Sequence, residues 1–244
     1  MAQLRAELLK QTSTRTDLGL FAGLLGLVLL AIVLHGLGLR AEELGQRKNQ
    51  LMILGRGEFL AALFAALLGA MSITAEIRHG TIRPIFVVTP QRGRVIAAKV
   101  GVSVVIGAAF GLVASAFAAG VGIAVLRARG IDVQLDAGDY LLLILGGGVA
   151  AALWAAIGVG VGAVVRNQVP ALVGLAAWLL FVEGLLGGDL GDLGRFAPGA
   201  LGMAASGQEP DTLLPPALGV LLLAVYAVVA VGAAWLATTR RDVP

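Results

Sequence analysis

The sequence predicts an all-α polytopic membrane protein with six transmembrane helices. Of its 244 residues, 58% are hydrophobic and only 14% are charged, and the mean hydropathy is +0.92. A water-soluble domain carries about a quarter of its residues as charges, so most of this chain requires another solvent. The charges also cluster, leaving long uncharged runs. A bilayer core roughly 30 Å thick is crossed by about 20 apolar residues in helical form. Lipid offers no hydrogen-bond partners, so such runs must satisfy their own backbones. A transmembrane barrel would instead alternate polar and apolar residues in short strands, and these runs are continuously apolar.

Residues 1–17 come first, with Leu4, Leu8 and Gln11 on one stripe and Arg5, Glu7, Lys10 and Arg15 around it. That pattern predicts an interfacial amphipathic helix lying on the membrane surface, with a basic tail without fixed structure as the alternative. A single transmembrane domain follows over 18–239, its spans at about 18–39, 57–75, 100–126, 140–165, 168–186 and 216–239. The second, from Phe59 to Ala75, is bracketed by Glu58 and Glu76 and is short enough to need a turn from either flank. Only Arg166-Asn167-Gln168 separates the fourth from the fifth, which predicts a tight hairpin, with Pro170 suited to a helix start. Pro215 and Pro216 suit the first turn of the sixth. Residues 240–244 form a short tail.

The connection after the second span is the most distinctive polar stretch. Gly80 stops the span, and Thr81 can cap a new helix whose first turn holds Pro84, where no intrahelical N–H is needed. Ile82, Ile85 and Phe86 then make an apolar i, i+3, i+4 face, with Arg83, Arg92 and Arg94 around it, and Pro90 ends the segment. An exposed apolar face on a short helix outside the membrane invites a partner protein. The competing reading lays that face in the headgroup layer.

Basic residues set the orientation. Eleven lie on the side shared by both termini, the 76–99 loop and the 166–168 turn, against seven on the other side; acidic residues divide four against eleven. Both termini are therefore expected in the cytoplasm. A sequence pI of about 9.8 then needs only arginines beside anionic lipid, and no nucleic acid. No cleavable signal peptide is expected, because the first span is too long for a signal core and follows a polar segment.

Several chemistries are excluded or disfavoured. With no cysteine there is no disulfide, thiol nucleophile or thiolate metal site. His35 and His79 are the only histidines and form no zinc motif; His35 reads as interfacial. No nucleophile elbow occurs. Ser72 and Ser103 lack a deep histidine and read as packing residues. The span cores read as nearly free of charge, which argues against a proton or sodium relay. Glu183 is the one candidate, and it reads as interfacial. Lys10, Lys48 and Lys99 follow Leu9, Arg47 and Ala98, so no phosphate-binding P-loop exists. The chain is not expected to be an enzyme, and no cofactor is expected on it. The pairs Gly107/Gly111 and Gly158/Gly162 have G-x-x-x-G spacing. They favour close helix approach within the chain, with a dimer seam as the other reading.

The stretch Glu76-x-Arg78-x-Gly80-Thr81, with Pro90, Arg92 and Lys99 behind it, resembles the membrane subunits of type-2 ABC transporters, the ABC exporter permease family. The Arg5-Ala6-Glu7-Leu8-Leu9-Lys10 run, Val165–Leu172 and the acidic Gly-rich segment before the last span are similar to that family's actinobacterial members. The resemblance covers essentially the whole chain through loose motifs. It implies a bacterial plasma-membrane permease, paired with a second permease copy (identical or a sister) and docked on two copies of a separate ATPase that binds ATP and Mg. By the same resemblance, the short cytoplasmic coupling helix between spans 2 and 3 transmits ATP-driven closure. Glu76, Gly80, Thr81, Ile82, Arg83, Ile85, Phe86, Pro90 and Arg92 would form that coupling site. Residues 184–212 would partly re-enter the membrane from outside. With almost no extracellular domain, the expected cargo is a compact hydrophobic or amphiphilic molecule. A membrane scaffold assembling through Gly-rich faces also fits the composition. A lipid-modifying enzyme fits less well, because the basic 76–99 cluster has no acidic pair to hold a metal.

Overall fold

The computed structural model describes residues 15–81, 92–185, 191–208 and 212–240. The regular structure among these residues is helical, with no strand. The helices are α1 (Arg15–Gly38), α2 (Ala41–Leu44), α3 (Arg47–Leu54), α4 (Arg56–Arg78), α5 (Arg92–Ala128), α6 (Ala137–Val165), α7 (Gln168–Ala177), α8 (Pro198–Ala205) and α9 (Pro216–Arg240). A π turn, Trp178–Val182, extends α7, and a 3-10 helix, Gly191–Phe196, precedes α8. Six helical stretches are long and apolar enough to cross a membrane, so the chain is a multi-pass membrane protein. Residues 1–14 and 241–244 lie outside the described residues, and with them most of the expected surface helix.

Two helices form the centre. In the most apolar window of α6, 72% of residues are buried inside the protein, against 17% for the first and fifth spans. The α3–α4 stretch is next at 61%. Composition explains this ranking, because α6 is rich in Gly and Ala and lets neighbours approach closely. A Cβ on Gly162 would stand 2.8 Å from Ala70 O of α4, and one on Gly107 2.8 Å from Ala151 O of α6. Gly158 meets Ala66 of α4 and Gly111 meets Gly147 of α6 in the same way, while Gly160 faces Ala230 of α9. Both G-x-x-x-G pairs are thus occupied by helices of the same chain. The outer helices turn Leu30, Leu34, Val173, Phe181, Val228 and Val229 outward, an apolar girdle suited to lipid.

The spans differ from expectation at their ends. The second runs over Arg56–Arg78 rather than 57–75, and the third begins at Arg92 rather than 100. Glu58, Glu76 and Lys99 are therefore helical and almost fully buried, where the sequence reading had them as membrane flanks. The reason is length: the uncharged run Phe59–Ala75 is seventeen residues, which at 1.5 Å rise reaches only about 26 Å, short of a roughly 30 Å core. The 166–168 hairpin forms as expected. Arg166 takes a left-handed φ of 56°, and Asn167 caps α7 by accepting from Val169 N at 3.3 Å. Arg166 also donates to Ala237 O at 2.7 Å, tying the hairpin to α9.

The loops at the opposite end are built rather than open. Residues 40–58 hold α2, α3 and the start of α4. Fully buried Gln50 donates to Leu44 O and Asp132 O, each at 2.9 Å, and accepts from Gln134 N at 2.8 Å. Arg129 closes the carbonyl end of α1 by donating to Gly36 O and, at 2.7 Å, to Leu39 O.

Candidate functional sites at the two ends of the bundle

At the end of α4, three of the expected coupling residues come together. Gly80 has a φ of +69°, the left-handed conformation that closes a helix most easily as glycine. Thr81 N donates to Glu76 O at 3.0 Å and Gly80 N to Ile77 O at 3.2 Å, the paired bonds of a Schellman stop. The Glu76 carboxylate turns inward and pairs with Lys99 Nζ of α5 at 2.8 Å. Lys99 also donates to Ser72 O at 2.9 Å. Both ionic side chains are 2% exposed or less, so Glu76 acts beneath the connection rather than on its surface. Arg78 faces the hairpin, donating to Gln168 Oε1 at 3.2 Å. Ile82, Arg83, Ile85, Phe86 and Pro90 lie outside the described residues, while Arg92 is the first residue of α5 and Arg94 is exposed two residues on. Apart from Thr81, the expected 81–89 helix lies outside the described residues.

The other end of the bundle holds a cavity of about 820 Å³, within the size range of small-molecule sites. It lies between the start of α4, the π turn after α7 and the 191–205 segment. Phe59, Leu179 and Met203 give it apolar walls, and Arg56, Glu183, Arg195 and Gln208 line it with polar groups. The segment entering it is short and helical and folds inward: Leu201, Ala204 and Ala205 are buried. Arg195 is half-buried at the cavity wall. Asp189, Glu209 and Asp211 lie outside the described residues.

Two carboxylates hold this segment. Glu183 Oε1 accepts from Trp178 Nε1 and from Gly199 N, each at 2.7 Å, so it caps the amino end of α8, where the helix dipole favours negative charge. Glu183 is thus built into the structure rather than merely interfacial, and the π turn aims it. Glu58, 2% exposed, stands beside the other end of α8. A second Schellman turn, with Gln208 N on Met203 O at 3.0 Å and Gly207 N on Ala204 O at 2.9 Å, delivers Gln208, whose Nε2 donates to Glu58 Oε2 at 3.1 Å. Sequence reading missed Glu58, Gln208 and Ser115 as a group, because 150 positions separate Glu58 from Gln208. The one available signal was the short second span, which forces a flanking carboxylate inward.

Among the described residues no group of three or more acidic or histidine side chains could hold a metal ion. No family model matches the chain, and no curated protein matches it.

Proposed function

We propose that the chain is the permease subunit of an ATP-driven exporter of the type-2 ABC class. ATP and Mg would be bound by two copies of a separate ATPase, and a second permease copy would complete the path. A hydrophobic or amphiphilic molecule (drug, lipid or peptide) is the substrate class. The observation that carries this reading is the buried Glu76–Lys99 pair beneath the residues that resemble the family's coupling loop. It joins the last turn of α4 to the second turn of α5, and both helices pack on central α6. A push on the connection therefore reaches the core of the bundle rather than a frayed end. The apolar-walled cavity at the far end fits an amphiphile better than a sugar or an ion. Both termini lie in the cytoplasm in this reading.

The test is Phe86→Asp in the full chain. A few apolar anchors carry most of an interface's energy, while rim charges chiefly steer encounter. The substitution should abolish ATPase pull-down or substrate-stimulated ATP hydrolysis while leaving the protein in the membrane, and Arg94→Ala should do far less. Intact pull-down and intact hydrolysis in Phe86→Asp would remove the coupling assignment.

A further inference from the structure

Charge is unevenly distributed around the cavity between α4, the π turn and the 191–205 segment. Its described lining holds two arginines, Arg56 and Arg195, against one carboxylate, Glu183. That carboxylate is committed to the fold, since its Oε1 accepts from Trp178 Nε1 and Gly199 N, each at 2.7 Å. Its charge is answered by an indole and by the amino end of α8. Glu58 lies outside the lining, bonded to Gln208. The formal charge of the described lining is therefore +1, two arginines less one carboxylate.

The two arginines reach the cavity from different elements: Arg56 opens α4, and Arg195 lies on the 3-10 helix. Both are half-buried. The Arg195 guanidinium carbon stands 5.2 Å from the centre of the Phe196 ring, a cation–π contact that helps to hold it in place. A guanidinium carries five N–H donors in a planar fork, so each arginine can bond within the protein and still present donors to a ligand. Phe59, Leu179 and Met203 make the walls apolar, and a flexible thioether adapts readily to an alkyl chain.

We propose that this cavity binds an amphiphile with an anionic headgroup, a carboxylate or phosphate on an alkyl chain. Arg56 and Arg195 take the headgroup, and Phe59, Leu179 and Met203 line the chain. Guanidinium forks match carboxylate and phosphate geometry, and such bonds strengthen away from water. A free inorganic anion would leave the apolar walls wet. A neutral or cationic amphiphile would fill them, yet would desolvate two guanidiniums without bringing an anionic acceptor. A singly charged headgroup brings the described lining to neutrality. As the cargo of an exporter, this class of molecule rests on the permease reading; as a bound ligand it needs no ATPase.

The test uses the full chain in phosphatidylcholine nanodiscs, so that no detergent competes for the cavity. A diazirine-bearing palmitate is photocrosslinked to it, and the labelled residues are mapped by mass spectrometry. Labelling should saturate at the lining residues Leu179, Leu180 or Met203. Excess palmitate or hexadecyl phosphate should displace it, whereas hexadecanol, hexadecyltrimethylammonium and inorganic phosphate should not. Arg56→Gln and Arg195→Gln should each raise the half-saturating concentration about tenfold, as expected for one lost charge-assisted contact. Ala200→Phe should abolish labelling by filling the cavity while keeping both arginines. Lys48→Gln, at an exposed position, should label as wild type does, and melting temperatures check that each variant is folded. Equal displacement by the anionic, neutral and cationic hexadecyl compounds would overturn the proposal. So would displacement by inorganic phosphate alone, labelling confined to outward residues such as Leu34 and Val228, or wild-type labelling in both folded arginine variants. Phe86→Asp should leave labelling unchanged. Loss of the cavity result with ATPase pull-down intact would therefore remove this inference and spare the permease reading.

Discussion

At the scale of single residues, buried ionic groups carry the specificity of this membrane domain. Glu76 and Lys99 are together tolerable, because each supplies the other's counter-charge at 2.8 Å and Lys99 also finds Ser72 O. Separately they are not. Lys99→Met should remove the ammonium 2.8 Å from the buried Glu76 carboxylate and cost about 3–5 kcal/mol, the usual penalty for breaking a buried pair from one side. Adding Glu76→Leu should recover most of that loss, since an apolar pair of similar volume is often as stable as the ionic one. Reversible unfolding in detergent measures both; a double variant no better than Lys99→Met would show that the pair does more than neutralise charge. Glu76, Gly80 and Thr81 were legible as a group because they are close in sequence. Their helix-stopping geometry was legible only in part: glycine announces the turn, whereas the inward rotation of Glu76 depends on where α5 places Lys99.

At the scale of elements, glycine position decides which helices touch. Gly158 stands against the Ala66 backbone, whereas Gly174 on α7 has nothing within 4 Å of a Cβ. Gly158→Leu should therefore push α4 from α6 and lower the melting temperature strongly, while Gly174→Leu should leave it nearly unchanged. Comparable melting of the two variants would mean that the α4–α6 approach is not a main support. The spacing of Gly107/Gly111 and Gly158/Gly162 was plain in the sequence, and so was its tendency to favour close approach. Which neighbour each pair meets was not plain, since any small-residue face can serve within a chain or between chains. The short helices α2 and α3 were missed for a related reason. They carry no long apolar pattern, and their order comes from Gln50 bonding to Leu44 and to residues 132 and 134.

At the scale of the whole molecule, six helices are long and apolar enough to cross a membrane, and an even number of crossings would place both ends on one side. Reporter fusions after Arg15 and after Arg240 should give the same compartment readout, and one within residues 40–46 the opposite. A split between the two ends would mean that α6 and α7 do not cross separately. The number of spans and their approximate places were determined by sequence alone, because the cost of exposing a polar backbone to lipid acts on every apolar run, wherever its neighbours lie. So were the tight 166–168 hairpin and the stop at Gly80, which depend on residues adjacent in the chain. Tertiary structure alone decided that α4 and α6 form the centre. It also turned Glu58, Glu76 and Lys99 inward and made the 191–208 segment one wall of a cavity. Those outcomes depend on residues up to 150 positions apart meeting in space. A buried charge is stable only where a partner from another helix arrives, and no local pattern in the sequence records that arrival.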